Sequence, residues 1–187
     1  LQPYAQTSVG GLAANAGGLT DVANGSLTVP GLSVADMLTA LNTGRNTGAW
    51  DGASGITSSD SAASGGTRTV GWLDNGGSVT FAYAAAGDTN LDWVVDVSDI
   101  ANFAASGKYG TGDPATWIEG DFNYDGVVDV LDAADFVVSG LYGAGGYNTP
   151  ATAAGGIAAV PEPAVPGMIA VVLAAVAAGR RSRRTLP

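Results

Sequence analysis

Two twelve-residue segments in register, Asp88–Asp99 and Asp121–Asp132, constrain this chain more than any other feature. Each puts oxygen-bearing side chains at positions 1, 3, 5, 9 and 12. In the first these are Asp88, Asn90, Asp92, Asp96 and Asp99; in the second, Asp121, Asn123, Asp125, Asp129 and Asp132. At position 7 the backbone carbonyls of Val94 and Val127 offer a further oxygen. Four carboxylates crowded into so short a loop repel one another unless a cation lies among them. A hard divalent ion that takes about six to eight oxygens fits the spacing, and calcium is the expected one at both sites. The copies are offset by 33 residues and share valine at position 8, so the pattern is a repeat and not a chance run of acids.

The copies differ at position 6, Trp93 in the first and Gly126 in the second. A sharp turn there favours the left-handed region, where a side chain costs about 1–2 kcal/mol. The second loop is therefore expected to bind calcium more tightly. Calcium that binds only the folded form adds about 2.7 kcal/mol of stability at roughly a hundredfold excess over its dissociation constant. Each loop leads into a stretch with helical spacing. In Val97–Ser106 the expected buried face is Ile100, Phe103 and Ala104; in Val130–Tyr142 it is Ala133, Phe136, Val137 and Leu141. The linker 107–120 carries Trp117 and Ile118 as candidate core anchors. No amphipathic helix precedes either loop, so the unit is half of an EF-hand, duplicated.

Composition narrows the function classes. The chain has 187 residues, a net charge of −10, 29 Gly and only four Phe, so its core is modest and its loops are long. Most of the acidic residues fall between Asp88 and Asp135, and most of the basic ones in Arg180–Arg184. An acidic body repels phosphate, which argues against nucleic acid as a partner. With no Cys and no His, disulfides, thiolate or imidazole zinc sites and Ser-His-Asp or Cys-His catalysis are excluded within this chain. A bound metal remains as a staple for a small module. The chain opens on Leu without a basic and apolar leader, and is expected to be a fragment or processed product with an upstream part of unknown content.

Residues 1–66 are rich in Gly, Ala, Ser and Thr, and 1–24 read as a low-complexity leader. Ser26–Val29 alternates like a strand after Asn24-Gly25, with Leu27 and Val29 inward. Ser33 is placed to cap a short helix, Val34–Leu41, with Met37, Leu38 and Leu41 on one face. Thr67–Leu73 and Ser78–Ala84 read as a hairpin about Asp74-Asn75-Gly76-Gly77, with Val70 and Trp72 on one face and Val79, Phe81 and Tyr83 sharing another. A lone hairpin is marginal in water, so it must pack on something. Trp72 and Phe81 read as core residues in preference to a sugar-stacking platform.

Across Gly87–Tyr142, the order loop, helix, linker, loop, helix resembles a type I dockerin repeat pair, the calcium-dependent modules that dock onto cohesins in bacterial polysaccharide-degrading systems. The resemblance implies calcium ligation by the ten side chains named above, and Asp at position 12 matches the dockerin pattern. Positions 10 and 11, often Ser-Thr where dockerins contact cohesin, are Val97-Ser98 and Val130-Leu131 here. The basic residues common further along the recognition helix are replaced by Ala104-Ala105 and Val137-Val138. Val130 and Leu131 read as candidates for the module's own core.

The tail has three parts in order: Pro161-Glu162-Pro163, an apolar run Ala164–Ala178, and the basic cluster of Arg180, Arg181, Arg183 and Arg184. As a helix the run would span roughly 22 Å, short of the ~30 Å hydrocarbon core of a bilayer. The arginines would stay on the cytoplasmic side. This trio resembles the PEP-CTERM sorting signal. It implies export, transient tethering in the inner membrane, and cutting by an exosortase near the Pro-Glu-Pro motif, with delivery to the cell envelope or beyond.

The expected class is α+β: a small Gly-rich β-hairpin region over 1–86, an all-α dockerin-like pair of calcium loop–helix motifs over 87–148, a linker at 149–159, and a C-terminal hydrophobic helix within a sorting tail at 160–187. The expected function is a non-catalytic calcium-binding interaction or structural module of an exported surface or matrix protein, with a cohesin-like or other surface protein as partner. The alternative is the accessory end of a secreted glycoside hydrolase whose catalytic domain lies upstream. Hydrolysis needs two free carboxylates in a sugar cleft, and the clustered Asp residues here are committed to the loops.

Overall fold

The computed structural model describes the backbone of residues 6–8 and all of residues 18–148. The central sheet has the order β1-β3-β6-β5, from Gln6–Ser8 (β1), Ser26–Pro30 (β3), Ser78–Ala84 (β6) and Thr69–Asp74 (β5). A second, two-stranded sheet pairs Leu19–Asp21 (β2) with Gly55–Thr57 (β4) in parallel. The helices are Val34–Arg45 (α1), Ser59–Ala63 (α2), Val97–Ser106 (α3) and Val130–Ser139 (α4), with a 3₁₀ turn at Trp117–Glu119.

The expected local signals account for much of this. The β5–β6 hairpin forms about Asn75-Gly76, and Gly76 takes φ +71°. Ser33 caps α1, its Oγ accepting the Asp36 N–H at 3.1 Å. The helix runs one turn past Leu41, to Arg45, and ends at Asn46 in the left-handed conformation. Across the sheet, Leu27, Phe81 and Trp72 stand opposite one another in register, with Val29 beside Val79. All five are buried in one core with Met37 and Leu41 of α1. Tyr83 is only half-buried.

The other sheet face is built differently. Gly71 pairs with Ala82, and Thr69 with Ala84, so this face is lined by small residues. Into that space come Trp117 and Leu91. A Cβ on Gly71 would lie 2.4 Å from Leu91 Cδ2 and 2.6 Å from the Trp117 ring, so only glycine admits the indole there. Trp117, Phe122 and Tyr124 are buried in the same core cluster as the strands.

The expected architecture is therefore corrected. Strands and helices are both present, but the β part is sizeable and is not one small hairpin. The loop–helix segments do not form an all-α pair: one is approached from strand β6, the other from a 3₁₀ turn, and both share the sheet's core. The physical reason is the aromatic content of the linker and second loop, which needs a surface that two ten-residue helices cannot supply. Among the described residues no helix is long and apolar enough to cross a membrane. The linker 149–159 and the tail 160–187, with Pro161, Glu162, Pro163, Arg180, Arg181, Arg183, Arg184 and the expected hydrophobic helix, lie outside the described residues.

Replacing Gly71 by Val should lower unfolding stability by about 1–3 kcal/mol, the range for overpacking a tight core site. Urea denaturation followed by tryptophan fluorescence reads this directly. Wild-type stability would mean that Trp117 is not seated on β5.

Candidate calcium loops

The two loops share a hydrogen-bond scheme position by position. The position 6 N–H of Trp93 or Gly126 donates to the position 1 carboxylate, at 3.0 and 3.1 Å. The position 5 N–H donates to the Asn at position 3, at 3.0 and 2.8 Å. The position 7 N–H donates to the Asp at position 5, at 2.9 and 3.0 Å. These side chains thus bend the loop around themselves, which is what Asp and Asn do in short turns.

Positions 9 and 12 do a second job. Asp96 is the N-cap of α3 and Asp129 of α4, each accepting the N–H two residues on at 2.7 Å. Asp99 and Asp132, three residues later, accept the cap's own N–H at 2.9 Å and complete a capping box. Their other oxygens reach back to the position 2 N–H of Thr89 and Phe122, both at 2.8 Å. Each helix start is therefore tied to its loop by two carboxylates.

The repeat continues beyond the loops, with the elements exchanged between copies. Gly87, before the first loop, lies against Phe136 of α4; Gly120, before the second, lies against Phe103 of α3. The Gly110 N–H donates to the Val128 carbonyl at 2.8 Å, and the Gly143 N–H to the Val95 carbonyl at 2.9 Å. Each pair is separated from its counterpart by the same 33 residues, a signal present in the sequence once the comparison extends past position 12.

Two expectations about packing are overturned. Val137 is 73% exposed and Ala104 is exposed, against expectation, whereas Phe103, Ala133, Phe136 and Leu141 are half-buried and Ile100, 38% exposed, lines an apolar cleft with Phe103 and Phe136. Val130 and Leu131 are 66% and 57% exposed and take no part in the core. Helix α4 ends at Gly140, in the left-handed conformation, short of Tyr142. Of the two linker anchors, Trp117 is buried and Ile118 is not. The two helices are held by their N-terminal carboxylates and the exchanged Phe–Gly contacts, which leaves their outer faces in solvent.

Backbone strain follows the expected asymmetry and adds a position. Trp93 takes φ +65° and Gly126 φ +90° at position 6. At position 4, Leu91 and Tyr124 are also left-handed, at φ +60° and +67°. The first loop therefore strains two side-chain-bearing residues and the second only one.

The position 1 carboxylates differ most. Both oxygens of Asp88 are used: Oδ1 accepts the Asp92 N–H at 3.2 Å, and Oδ2 accepts Trp93 N–H and the Tyr147 hydroxyl, the latter at 2.5 Å. Tyr147 had no signal in the sequence pattern. In Asp121, Oδ2 accepts Gly126 N–H, while Oδ1 is buried with no hydrogen-bond partner. Burial pushes Asp88 up to about 7, against the opposing Tyr147 hydroxyl and Trp93 N–H. Asp121 is also pushed up to about 7, by burial first and then by the Asp132 carboxylate. Burial raises Asp132 as well.

Among the described residues no group of three acidic side chains is already drawn together as a metal cluster. The donor chemistry nevertheless fits calcium: each loop offers carboxylate, amide and carbonyl oxygens only, and Asp121 Oδ1 is a buried oxygen that lacks a donor. When bound, calcium would supply the positive charge that four carboxylates per loop require. No family model matches the chain, and no curated protein or solved structure matches it.

Two predictions follow the geometry. A carboxyl whose folded pKa is raised above its unfolded value binds more protons in the native state, so stability is full below the unfolded value and lost as pH rises through the folded one. For Asp88 and Asp121 that window runs from 3.8 to about 7. In EDTA the melting temperature should fall as pH is raised from 5 to 7.5; in excess calcium the fall should be smaller. A melting temperature in EDTA that climbs across the window would contradict the assignment. Separately, Tyr147→Phe removes the hydroxyl bound to Asp88 and to the Ala85 N–H, at 2.5 and 2.9 Å. It should lower stability by about 1–2 kcal/mol, measured by urea denaturation.

Proposed function

We propose that this chain is a non-catalytic, calcium-binding interaction or structural module of an exported surface or matrix protein, with two calcium sites of the dockerin-like loop pattern. The observation that carries the reading is the matched hydrogen-bond scheme of the two loops together with the buried, donorless Oδ1 of Asp121. An acidic loop that is only surface decoration has no need to bury its first carboxylate. The stronger site is the second, formed by Asp121, Asn123, Asp125, the Val127 carbonyl, Asp129 and Asp132. The weaker is formed by Asp88, Asn90, Asp92, the Val94 carbonyl, Asp96 and Asp99.

A protein partner, cohesin-like or another surface protein, would meet the exposed apolar face of α4. Val130, Leu131, Val137 and Val138 are all more than half exposed there, while the matching residues of α3 include Ser98, Ala104 and Ala105. Export and transient tethering by the tail belong to the same proposal, through its likeness to a PEP-CTERM signal.

Calorimetric titration with calcium tests the core of this reading. Two unequal sites are expected, the tighter one lost in Asp121→Ala and the weaker one in Asp88→Ala. No heat of binding, or two equal sites, would overturn it.

A further inference from the structure

We infer that Arg45 and Arg68 form a binding site for a small oxyanion-bearing ligand, carboxylate or phosphate, in the cavity they share at the seam between the sheet and the second loop. The cavity has a volume of about 170 Å³ and is lined by Arg45, Trp50, Thr67, Arg68, Phe122 and Asp135 among others. None of the side chains proposed as calcium ligands lines this cavity, although Phe122 of the second loop does.

The arginines are the observation. The chain carries seventeen acidic residues, yet among the described residues neither guanidinium makes an ion pair, whereas Lys108 pairs with Glu119 at 2.7 Å. Each guanidinium instead lies over a tyrosine. Arg45 Cζ is 5.4 Å from the Tyr124 ring centroid, and Arg68 Cζ is 5.3 Å from that of Tyr147. Such a cation–π contact consumes no N–H donor, so the guanidinium keeps N–H groups that can fork onto carboxylate or phosphate. Arg68 uses one nitrogen on the Thr67 carbonyl at 2.7 Å, and the Arg45 guanidinium donates no hydrogen bond to a described residue, its backbone carbonyl accepting from the Trp50 N–H at 2.9 Å.

The walls are built at a conformational cost. Trp50, which lines the cavity, sits at φ +59°, and Thr47, next to the lining Gly48, sits at φ +60°. Non-glycine residues hold that region only when their surroundings impose it, and such residues concentrate at ligand sites. Charge sets the ligand class: two guanidinium groups and the Asp135 carboxylate leave one net positive charge, which suits a monoanion. Size limits it as well. The cavity is smaller than the roughly 300–1,000 Å³ of sites for drug-sized molecules. A free oxyanion or a single sugar acid is the scale that fits.

The test uses the full chain in saturating calcium, with backbone amide shifts of Thr67, Arg68 and Thr69 read by NMR. The probes are inorganic phosphate, glucuronate and, as a neutral control, glucose. Saturable shifts with phosphate or glucuronate, and none with glucose, are expected; which of the two binds more tightly identifies the oxyanion. Arg45→Gln and Arg68→Gln should each weaken binding by about tenfold or more, the loss of a charge-assisted hydrogen bond. Asp135→Asn, at an exposed position, should tighten it by about threefold by removing repulsion. Shifts equal with glucose, no saturable shift with either anion, or an affinity indifferent to all three substitutions would overturn the proposal.

Discussion

The Trp117 indole is the contact through which the two halves of this molecule depend on one another. Its ring lies against Gly71 on the small-residue face of the sheet, edge-on to Phe122 at 5.1 Å and stacked near Tyr124 at 6.0 Å. Its N–H donates to the Asp88 carbonyl at 2.7 Å, inside the core. One side chain thus joins strand β5, the approach to the second loop and the first residue of the first loop. A fully buried tryptophan is a large part of the apolar area available to a chain with four phenylalanines. That contact sets where both loops start.

Exchange between the repeats adds a second constraint. Each loop is preceded by a glycine packed on the other repeat's phenylalanine, and each Val at position 8 accepts a backbone hydrogen bond from the other repeat's Gly110 or Gly143. Neither loop is therefore positioned by its own helix alone. A cation that tightened one loop would act on backbone shared with the other, through contiguous packing and hydrogen bonds. Tyr147 extends the linkage further, since its N–H donates to the Trp93 carbonyl at 2.9 Å and its hydroxyl to Asp88.

What the sequence made legible was local. Alternation marked Ser26–Val29, one residue short of the observed strand, and the hairpin; Ser33 marked the α1 cap, and the spacing of Asp and Asn marked both loops with the helices that follow them. These features are decided within a few residues by turn chemistry and capping, so a single sequence carries them. Long-range pairing was not legible. Strand β2, Leu19–Asp21, lies in a stretch read as leader, and its partner β4 follows more than thirty residues later. Three-residue strands show too little alternation to announce themselves. The faces of α3 and α4 were misread for a related reason. Apolar residues at helical spacing usually mean a buried stripe, but here Val137 and Ala104 face solvent because the Phe–Gly exchange already satisfies the helices. Tyr147 carries no pattern of its own; only the folded chain brings it to Asp88.

Position 6 of the first loop shows how the strain is met. Trp93 in the left-handed region costs about 1–2 kcal/mol relative to glycine. Against this, its indole N–H donates to the Tyr83 carbonyl at 3.0 Å, and its own carbonyl accepts from Tyr147. Net hydrogen bonds contribute about 1 kcal/mol each, so two of them are of the size needed to offset the strain. The first loop is thereby fastened to the sheet at the expense of its turn, and its Asp88 carboxylate is already satisfied by protein donors. In the second loop Gly126 removes the strain and no hydroxyl reaches Asp121 Oδ1. The same twelve-residue pattern is thus held in two electrostatic conditions: one loop neutralised in part by the protein around it, the other left with a buried oxygen that only a donor or a cation can satisfy.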